Sequence, residues 1–219
     1  HAVLNIRSFR LLRRLLISGE LGLAESFLQG EWDSPHLTGL FAFGAANNDF
    51  LISNIKSPSA MKHLNRWHHG RNANTRSGSR RNIAAHYDLG NDFYGQWLDE
   101  TMTYSSALFA TFDEPLAIAQ QAKYHRLAQA LILRAGDRIL EIGCGWGGFA
   151  EIAAQHYGCE VVGLTLSAEQ ANYARQRMAQ LGLSDKVEIR VQDYRDVTDT
   201  FDKIVSIEMF EAVGEAYWP

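Results

Sequence analysis

The carboxyl-terminal half of the chain alternates short apolar runs with longer stretches of helical periodicity. The apolar runs predict four β-strands, at residues 138–142, 160–164, 187–191 and 203–207. Successive strands that are separated by helices pair in parallel, because a parallel pair needs a long crossover connection. The pattern therefore predicts an α/β fold with a parallel sheet and helical crossovers.

Capping residues mark two of the predicted helices. Asp113 stands where an N-cap is expected, ahead of a helical pattern over residues 116–133. The helix between the second and third strands begins at Ser167, with Gln170 three residues later in a capping-box pattern, and ends at Gly182.

Basic and apolar residues share a helical pattern near the amino terminus. The apolar members are Ile6, Phe9, Leu12, Leu15 and Leu16, and the basic members, mostly on the other side, are Arg7, Arg10, Arg13 and Arg14. This pattern predicts a basic amphipathic helix, which either packs on its own domain or lies in a membrane interface. We assign it to a helical, lipid-associated domain over residues 1–62.

Charge is distributed unevenly along the chain. Residues 1–87 contain eleven lysines and arginines against five acids, and residues 88–219 contain ten against twenty, so the net charges are +6 and −10. No acid occurs between Asp49 and Asp88. This basic interval binds an anionic surface, either a membrane or nucleic acid, or it is a solvated linker. We place a basic linker at residues 63–82 and a second domain at residues 83–219.

Composition excludes several classes of protein. The longest near-continuous apolar run, residues 37–46, is far shorter than the roughly 18 residues that a membrane-spanning helix needs. Cys144 and Cys159 are too few for a disulfide framework, and their spacing does not suit a metal site. We therefore expect a reducing, cytoplasmic setting and no metal.

One glycine-rich turn carries the candidate chemistry. The sequence LEIGCGWGG, residues 140–148, follows the first predicted strand and leads into a helix, so its backbone N–H groups are free to bind a ligand. Gly143, Gly145 and Gly148 match the dinucleotide fingerprint, which alone is weak evidence, and no Walker pattern follows. The same glycines would also serve a tight turn without a ligand.

The acidic residues near this turn argue against NAD. The end of the second strand, residues 163–167, lacks the carboxylate that binds the ribose in NAD-dependent folds. Glu141 precedes Gly143 by two residues, and a carboxylate there would repel a pyrophosphate but attract a cationic ligand without phosphate. S-adenosylmethionine, which has an ammonium and a sulfonium group, is such a ligand.

Several stretches resemble the cyclopropane-fatty-acyl-phospholipid synthase family of class I S-adenosylmethionine-dependent methyltransferases. They are SGELGLAESFLQGEW (18–32), HYDLGNDFY (86–94), TYSSALF (103–109), LEIGCGWGG (140–148), VVGLTLSAEQ (161–170), QDYRD (192–196) and SIEMFEAVG (206–214). The resemblance implies a Rossmann-like methyltransferase sheet preceded by a small, mainly helical domain. It also implies further strands, so we expect the natural protein to continue past Pro219.

The resemblance further implies a cofactor pocket and an anion site. The pocket residues would be Tyr104, Ser105, Glu141, Gly143, Gly145, Gly147, Thr165, Leu166, Gln170, Gln192 and Asp193. A bound bicarbonate would be the base, held by Glu211, the Ser106 hydroxyl and the Ile207 carbonyl. Ser106 replaces a cysteine that is frequent in the family, and Ala212 replaces a histidine. The aromatic residues expected near a cationic intermediate are Tyr87, Phe93, Tyr94 and Phe210.

The implied reaction is transfer of a methylene group from S-adenosylmethionine to the cis double bond of an unsaturated phospholipid acyl chain, which gives a cyclopropane fatty acid. Two alternatives stay open. One is methylation without ring closure, giving a methyl-branched fatty acid or methylating another small acceptor. The other is a non-enzymatic binding protein that retains the fold. The expected partners are the phospholipid and an anionic membrane surface, and nucleic acid is not expected. Whether the protein forms a homodimer stays an open question.

Overall fold

The computed structural model describes residues 2–50, 90–209 and 213 of the 219-residue chain. The chain divides into two compact units, His1–Asn72 and Ala73–Pro219. The predicted linker at residues 63–82 lies outside the described residues, so the predicted domain boundaries stay a prediction.

The amino-terminal unit contains two short strands and two helices. Its elements are β1 (Asn5–Ile6), α1 (Arg10–Leu28), β2 (Trp32–Asp33) and α2 (Leu37–Ala46). β1 pairs antiparallel with β2, with Ile6 opposite Trp32. The start of the predicted amphipathic helix is therefore wrong, because Ile6 belongs to a strand. Gly19 also interrupts α1 with a non-helical conformation (φ 58°, ψ −133°), which glycine adopts without a steric penalty.

The apolar side chains at the start of α1 divide between buried and exposed positions. Leu11 is buried, whereas Leu12 and Leu16 are exposed, and Phe9, just before the helix, is 80% exposed. The predicted apolar stripe is thus covered only in part within this unit.

The carboxyl-terminal unit has the predicted α/β fold. Its elements are α3 (Asn91–Tyr94), α4 (Leu116–Ala130), β3 (Arg138–Ile142), α5 (Gly148–Tyr157), β4 (Glu160–Thr165), α6 (Ala168–Gln180), β5 (Val187–Val191) and β6 (Lys203–Ser206). The four strands are parallel and lie in the order β5-β4-β3-β6. All four predicted strands are present, with β4 one residue longer and β6 one residue shorter than predicted. Because the chain crosses from β5 to the far side of β3, the carboxyl ends of β3 and β6 flank a topological switch point.

The helix caps agree with the sequence at α6 and differ from it at α4. Ser167 Oγ accepts a hydrogen bond from Gln170 N (3.3 Å). In a capping box the Gln170 side chain would also accept from Ser167 N. Here Ser167 N donates to Thr165 Oγ1 instead, and the Thr165 hydroxyl donates to Gln170 Oε1. At α4 the N-cap is Pro115 and no side chain caps the helix, so the prediction for Asp113 is wrong.

Apolar clusters cover both faces of the sheet. One cluster includes Ile139, Val161 and Val205 from the strands, with Phe149 from α5 and Met178 from α6. On the opposite side of the strands, Leu140, Val162 and Leu164 form a second cluster with Val197 and Phe201 against it. Since β3 is also paired along both edges, its carboxyl end lies in a buried environment.

The helices and the two cysteines bear on the expected absence of a membrane span and of a disulfide framework. Within the described ranges, no helix has both the length and the apolar character needed to cross a bilayer. Cys144 and Cys159 are free, buried thiols.

We expect Gly148→Ala to destabilise the carboxyl-terminal unit. Gly148 is buried at the start of α5, and a methyl group there would lie 2.8 Å from Tyr124 Oη and 3.2 Å from Thr103 Oγ1. Overpacking of this kind costs about 1–3 kcal/mol, which urea unfolding measures. Gly44→Ala in α2 is the control, because a methyl group there meets no atom of the described residues within 4 Å. Equal losses for the two substitutions would contradict the expectation.

Candidate active site

A cavity of about 1000 Å³ opens at the carboxyl ends of the four parallel strands. Ten predicted cofactor residues line it, namely Tyr104, Ser105, Glu141, Gly143, Gly145, Thr165, Leu166, Gln170, Gln192 and Asp193. Ser106 and Ile207, predicted for the anion site, line it as well. Gly147 does not line it, and Glu211 lies outside the described residues. The fold thus brings these residues together, while their roles stay predictions.

The turn after β3 has a left-handed backbone and is fastened to β4. Gly143 and Gly145 have φ angles of 83° and 54°, which residues with a Cβ atom rarely adopt. The N–H groups of Gly143 and Cys144 both donate to Leu164 O, at 3.0 and 2.8 Å. Gly147 lies on the other side of the turn and packs against α6, so its role here is to permit a close approach.

Glu141 lies near the end of β3, just before this turn. It is 3% exposed, and burial raises the pKa of its carboxyl group to about 8, although a hydrogen bond from the Ala150 backbone acts in the opposite direction. Its Oε2 atom is buried and has no hydrogen-bond partner among the described residues. Buried polar atoms usually have partners, because removing them from water is costly. A buried carboxyl oxygen without a partner in a cavity wall is therefore typical of a ligand site.

Polar residues after β5 form hydrogen bonds that shape the rim of the cavity. Asp193 caps the short 3₁₀ helix Tyr194–Asp196, because its Oδ1 accepts from Arg195 N (3.0 Å). The Arg195 guanidinium also donates to both carboxylate oxygens of Asp193, at 2.8 and 2.6 Å. Gln192 Nε2 donates to Asp196 O (3.0 Å). These side chains line the cavity and also hold its loop in place.

The tryptophan of the glycine turn belongs to an aromatic cluster. Trp146 is buried against Tyr94, with ring centroids 5.1 Å apart. Its Nε1 atom donates to Asn91 Oδ1 at 2.6 Å. Because Asn91 is the first residue of α3, this bond ties α3 to the glycine turn. Sequence analysis missed the pair, since nothing local relates two residues 55 positions apart.

The aromatic residues at the cavity differ from those predicted. Phe93 and Tyr94 do not line it, so the prediction that they face a cationic intermediate is wrong. Tyr94 is instead buried in the aromatic cluster. Trp97 and Tyr104 line the cavity, with ring centroids 5.3 Å apart. The other two predicted residues, Tyr87 and Phe210, lie outside the described residues.

A chain of hydroxyl groups supports one wall of the cavity. Thr101 Oγ1 donates to Asp99 Oδ2 (2.6 Å), and it bonds to Thr103 Oγ1 (2.7 Å), which bonds to Tyr124 Oη (3.0 Å). Because each hydroxyl has one proton and the carboxylate only accepts, donation runs from Tyr124 through the threonines to Asp99. Met102, between the threonines, has a left-handed backbone (φ 53°). The network holds this strained segment in place.

In a second polar group, two residues that were not predicted, Lys123 and Glu208, bond to the predicted residues Ser105 and Ser106. We call these four residues the serine–lysine–glutamate cluster. Ser106 donates to Glu208 Oε1 through its backbone N (2.9 Å) and its Oγ (2.5 Å). Lys123 Nζ donates to Ser105 Oγ (2.5 Å) and Ser106 O (2.8 Å). Burial lowers the pKa of Lys123 to about 8, and the bonds from Ser106 lower the pKa of Glu208.

A parallel sheet with this strand order, a glycine turn after its first strand and a cavity at its carboxyl edge define a Rossmann-like α/β protein of the methyltransferase type. Residues 74–219, which are two thirds of the chain, match one protein family. The chain belongs to the family described as mycolic acid cyclopropane synthetase.

Known relatives agree with this assignment. Tuberculostearic acid methyltransferase UfaA1 of Mycobacterium tuberculosis is 41% identical over 219 residues, which cover 95% of this chain and 50% of the relative. Cyclopropane-fatty-acyl-phospholipid synthase of Escherichia coli K12 is 41% identical over 206 residues, covering 92% and 51%. The crystal structure of mycolic acid cyclopropane synthase CmaA1 complexed with SAH and CTAB matches with a TM-score of 0.60 and 39% identity, over 63% of this chain and 48% of that one. This chain therefore spans about half the length of the relatives it matches.

We expect the conformational stability to fall as the pH rises from about 4.5 to 8, and Glu141→Gln to remove this dependence. The pKa of Glu141 is about 8 in the fold against 4.5 for the free side chain, so in this window the folded protein retains a proton that the unfolded chain has lost. The loss reaches about 1.4 kcal/mol for each pH unit.

Urea unfolding between pH 5 and pH 8.5 measures this loss. Glu160→Gln is the control, because Glu160 is exposed at the opposite end of the sheet. Parallel pH profiles for the wild type and Glu141→Gln would show that Glu141 titrates normally.

Proposed function

We propose that the full-length protein transfers a methylene group from S-adenosylmethionine to the cis double bond of an unsaturated phospholipid acyl chain and forms a cyclopropane fatty acid. Membership of the mycolic acid cyclopropane synthetase family supports this class of reaction. The observation that carries the proposal is the buried carboxyl group of Glu141 in the wall of a large cavity, with an Oε2 atom that has no partner among the described residues.

The glycine turn and Glu141 would hold the methyl donor. S-adenosylmethionine supplies an activated methyl group together with a sulfonium and an ammonium charge. Glu141 would ionise beside these charges, because a neighbouring cation favours the carboxylate over the protonated acid. Gly145 leaves the backbone open to close approach, because a Cβ atom there would meet no atom of the described residues within 4 Å. Mycolic acid cyclopropane synthase CmaA1, which is 39% identical and was solved with SAH, supports a donor of this kind.

The rest of the cavity suits an apolar acceptor. Its volume lies at the upper end of the roughly 300–1000 Å³ that is usual for a small-ligand pocket, which leaves space for a second ligand. Its apolar lining includes Phe109, Leu116, Met209 and Val213. Methylation of an alkene leaves a carbocation, so walls that exclude water protect that intermediate. The ring of Tyr104 would add cation–π stabilisation.

Bicarbonate, the base implied by the family resemblance, does not fit the donors of Ser106. Both the N–H and the hydroxyl of Ser106 are bonded to Glu208 Oε1. The ionised Glu208 would also repel a second anion at the same position. The side chain of Glu208 therefore already provides a carboxylate at this wall of the cavity.

Methyl transfer without ring closure is the second candidate function. The similarity to tuberculostearic acid methyltransferase UfaA1 favours it, since that relative aligns with 95% of this chain and is named as a methyltransferase rather than a cyclopropane synthase. The two functions share the donor, the alkene and the first step, and they differ in the fate of the cation.

We also propose that α1 contacts an anionic membrane surface. Leu12 and Leu16 expose apolar groups on α1, and Phe9 does so just before it, while Arg10 and Arg13 are exposed nearby. Exposed apolar residues with neighbouring cations are typical of helices that lie in a membrane interface. The cations between Asp49 and Asp88 lie outside the described residues.

We expect the full-length protein to convert oleoyl phospholipid in vesicles to a saturated, ring-containing product. With trideuteromethyl-labelled S-adenosylmethionine, ring closure retains two of the three deuterium atoms and removes the double bond. Mass spectrometry of the fatty acids before and after hydrogenation measures both. A product that keeps a double bond or three deuterium atoms would exclude ring closure, and no transfer at all would exclude both candidate functions.

We expect replacement of Phe9, Leu12 and Leu16 by serine to reduce flotation with vesicles that contain anionic phospholipid, because the apolar contact is lost. Added salt should weaken wild-type binding through screening. Phe41→Ser is the control, since Phe41 is an exposed aromatic residue on α2. Equal flotation of all three proteins, or equal binding to neutral vesicles, would rule out this role for α1.

A further inference from the structure

The serine–lysine–glutamate cluster contains a carboxylate at a place where an anion was expected. Glu208 lies two residues after β6 and lines the cavity. Its Oε1 atom accepts both the N–H and the hydroxyl of Ser106, at 2.9 and 2.5 Å. The hydroxyl is the donor that was expected to bind the anion, so the protein's own carboxylate occupies that donor.

Hydrogen bonds from Ser106 and the charge of Lys123 lower the pKa of the Glu208 carboxyl group. The Ser106 hydroxyl is the largest cause of its lowered pKa, the Ser106 N–H adds to it, and Lys123 contributes through its positive charge. Lys123 is itself anchored to the same segment by bonds to Ser105 Oγ and Ser106 O. The carboxylate of Glu208 can thus accept a proton.

The backbone at Glu208 is strained. Its φ angle is 48°, in the left-handed region that favours glycine or asparagine. Residues held in such conformations persist where the surroundings determine them, and they concentrate at functional sites. Here the two bonds to Ser106 supply that restraint, and they fix the carboxylate against the wall of the cavity.

We propose that Glu208 is the proton acceptor of the ring-closing step and replaces bicarbonate, an inference that rests on the proposed function. In the first step the π electrons of the alkene form a bond to the methyl carbon, and the S–CH₃ bond breaks with its electron pair left on sulfur. In the second step a C–H bond of that methyl group breaks, its electrons close the three-membered ring, and the proton goes to the Glu208 carboxylate. A C–H bond next to a carbocation is strongly acidic, so a weak base in this position is sufficient.

The first test measures anion binding and does not depend on turnover. Carbon-13-labelled bicarbonate is titrated into the full-length protein with S-adenosylhomocysteine present, and its NMR line width is recorded. We expect no broadening for the wild type, broadening for Glu208→Ala, which frees the donors of Ser106, and its loss again when Ser106→Ala is added. Broadening that is equal in the wild type and Glu208→Ala would overturn the inference.

The second test measures ring closure in buffer depleted of carbon dioxide. We expect the wild type to be indifferent to depletion and Glu208→Gln to lose at least about 100-fold in ring product, with unchanged affinity for S-adenosylhomocysteine. Formate or bicarbonate should restore part of the activity of Glu208→Ala. Glu160→Gln is the matched control, because its carboxylate is exposed far from the cavity.

Two outcomes of this second test would overturn the inference. They are a wild type that needs bicarbonate and full ring closure by Glu208→Gln. A wild type that binds S-adenosylhomocysteine but leaves the alkene unchanged would overturn the proposed function, and with it the role of Glu208 as base. The NMR titration still decides whether Glu208 occupies the donors of Ser106.

Discussion

The pairing of β3 along both of its edges is the constraint on which the cavity depends. β4 and β6 bond to it in parallel, and apolar clusters cover it from both sides. Glu141, near its carboxyl end, is therefore removed from water, which is why the pKa of this carboxyl group rises to about 8. The same sheet holds the following turn in place, because Leu164 O on β4 accepts two of the turn's N–H groups.

Two glutamates near the ends of neighbouring strands differ because their surroundings differ. Glu141, on β3, is buried without a partner for its Oε2 among the described residues, and its protonated form is favoured. Glu208, just after β6, accepts two bonds from Ser106, and its ionised form is favoured. Environments that push the pKa values of two carboxyl groups apart are a recurrent way to assign them different tasks. In our proposal one offsets the charge of the donor and the other accepts a proton.

The walls of the cavity depend on contacts between segments that are distant in sequence. Trp146 bonds to Asn91, which attaches α3 to the glycine turn. Arg177 on α6 donates to Thr101 O (2.6 Å), which attaches the segment before Tyr104 and Ser105 to α6. It also donates to Glu151 Oε2 on α5 (2.5 Å), which links the two helices. These bonds position residues outside the sheet against the edge where the strands end, so sheet and flanking segments form one site.

Sequence alone predicted the α/β class, the four strands, the glycine turn and eleven cofactor residues, ten of which line the cavity. The class, the strands and the turn follow from local periodicity and spacing. The cofactor residues were implied by the family resemblance, and they lie together because parallel strands end at one edge of a sheet. Only the tertiary structure decided that Tyr94 is buried, that Asp113 is not a cap, and that Ser106 bonds to Glu208. The reason is physical: hydrogen-bond partners and burial depend on distances between segments up to 102 positions apart, and no local pattern of residues encodes those distances.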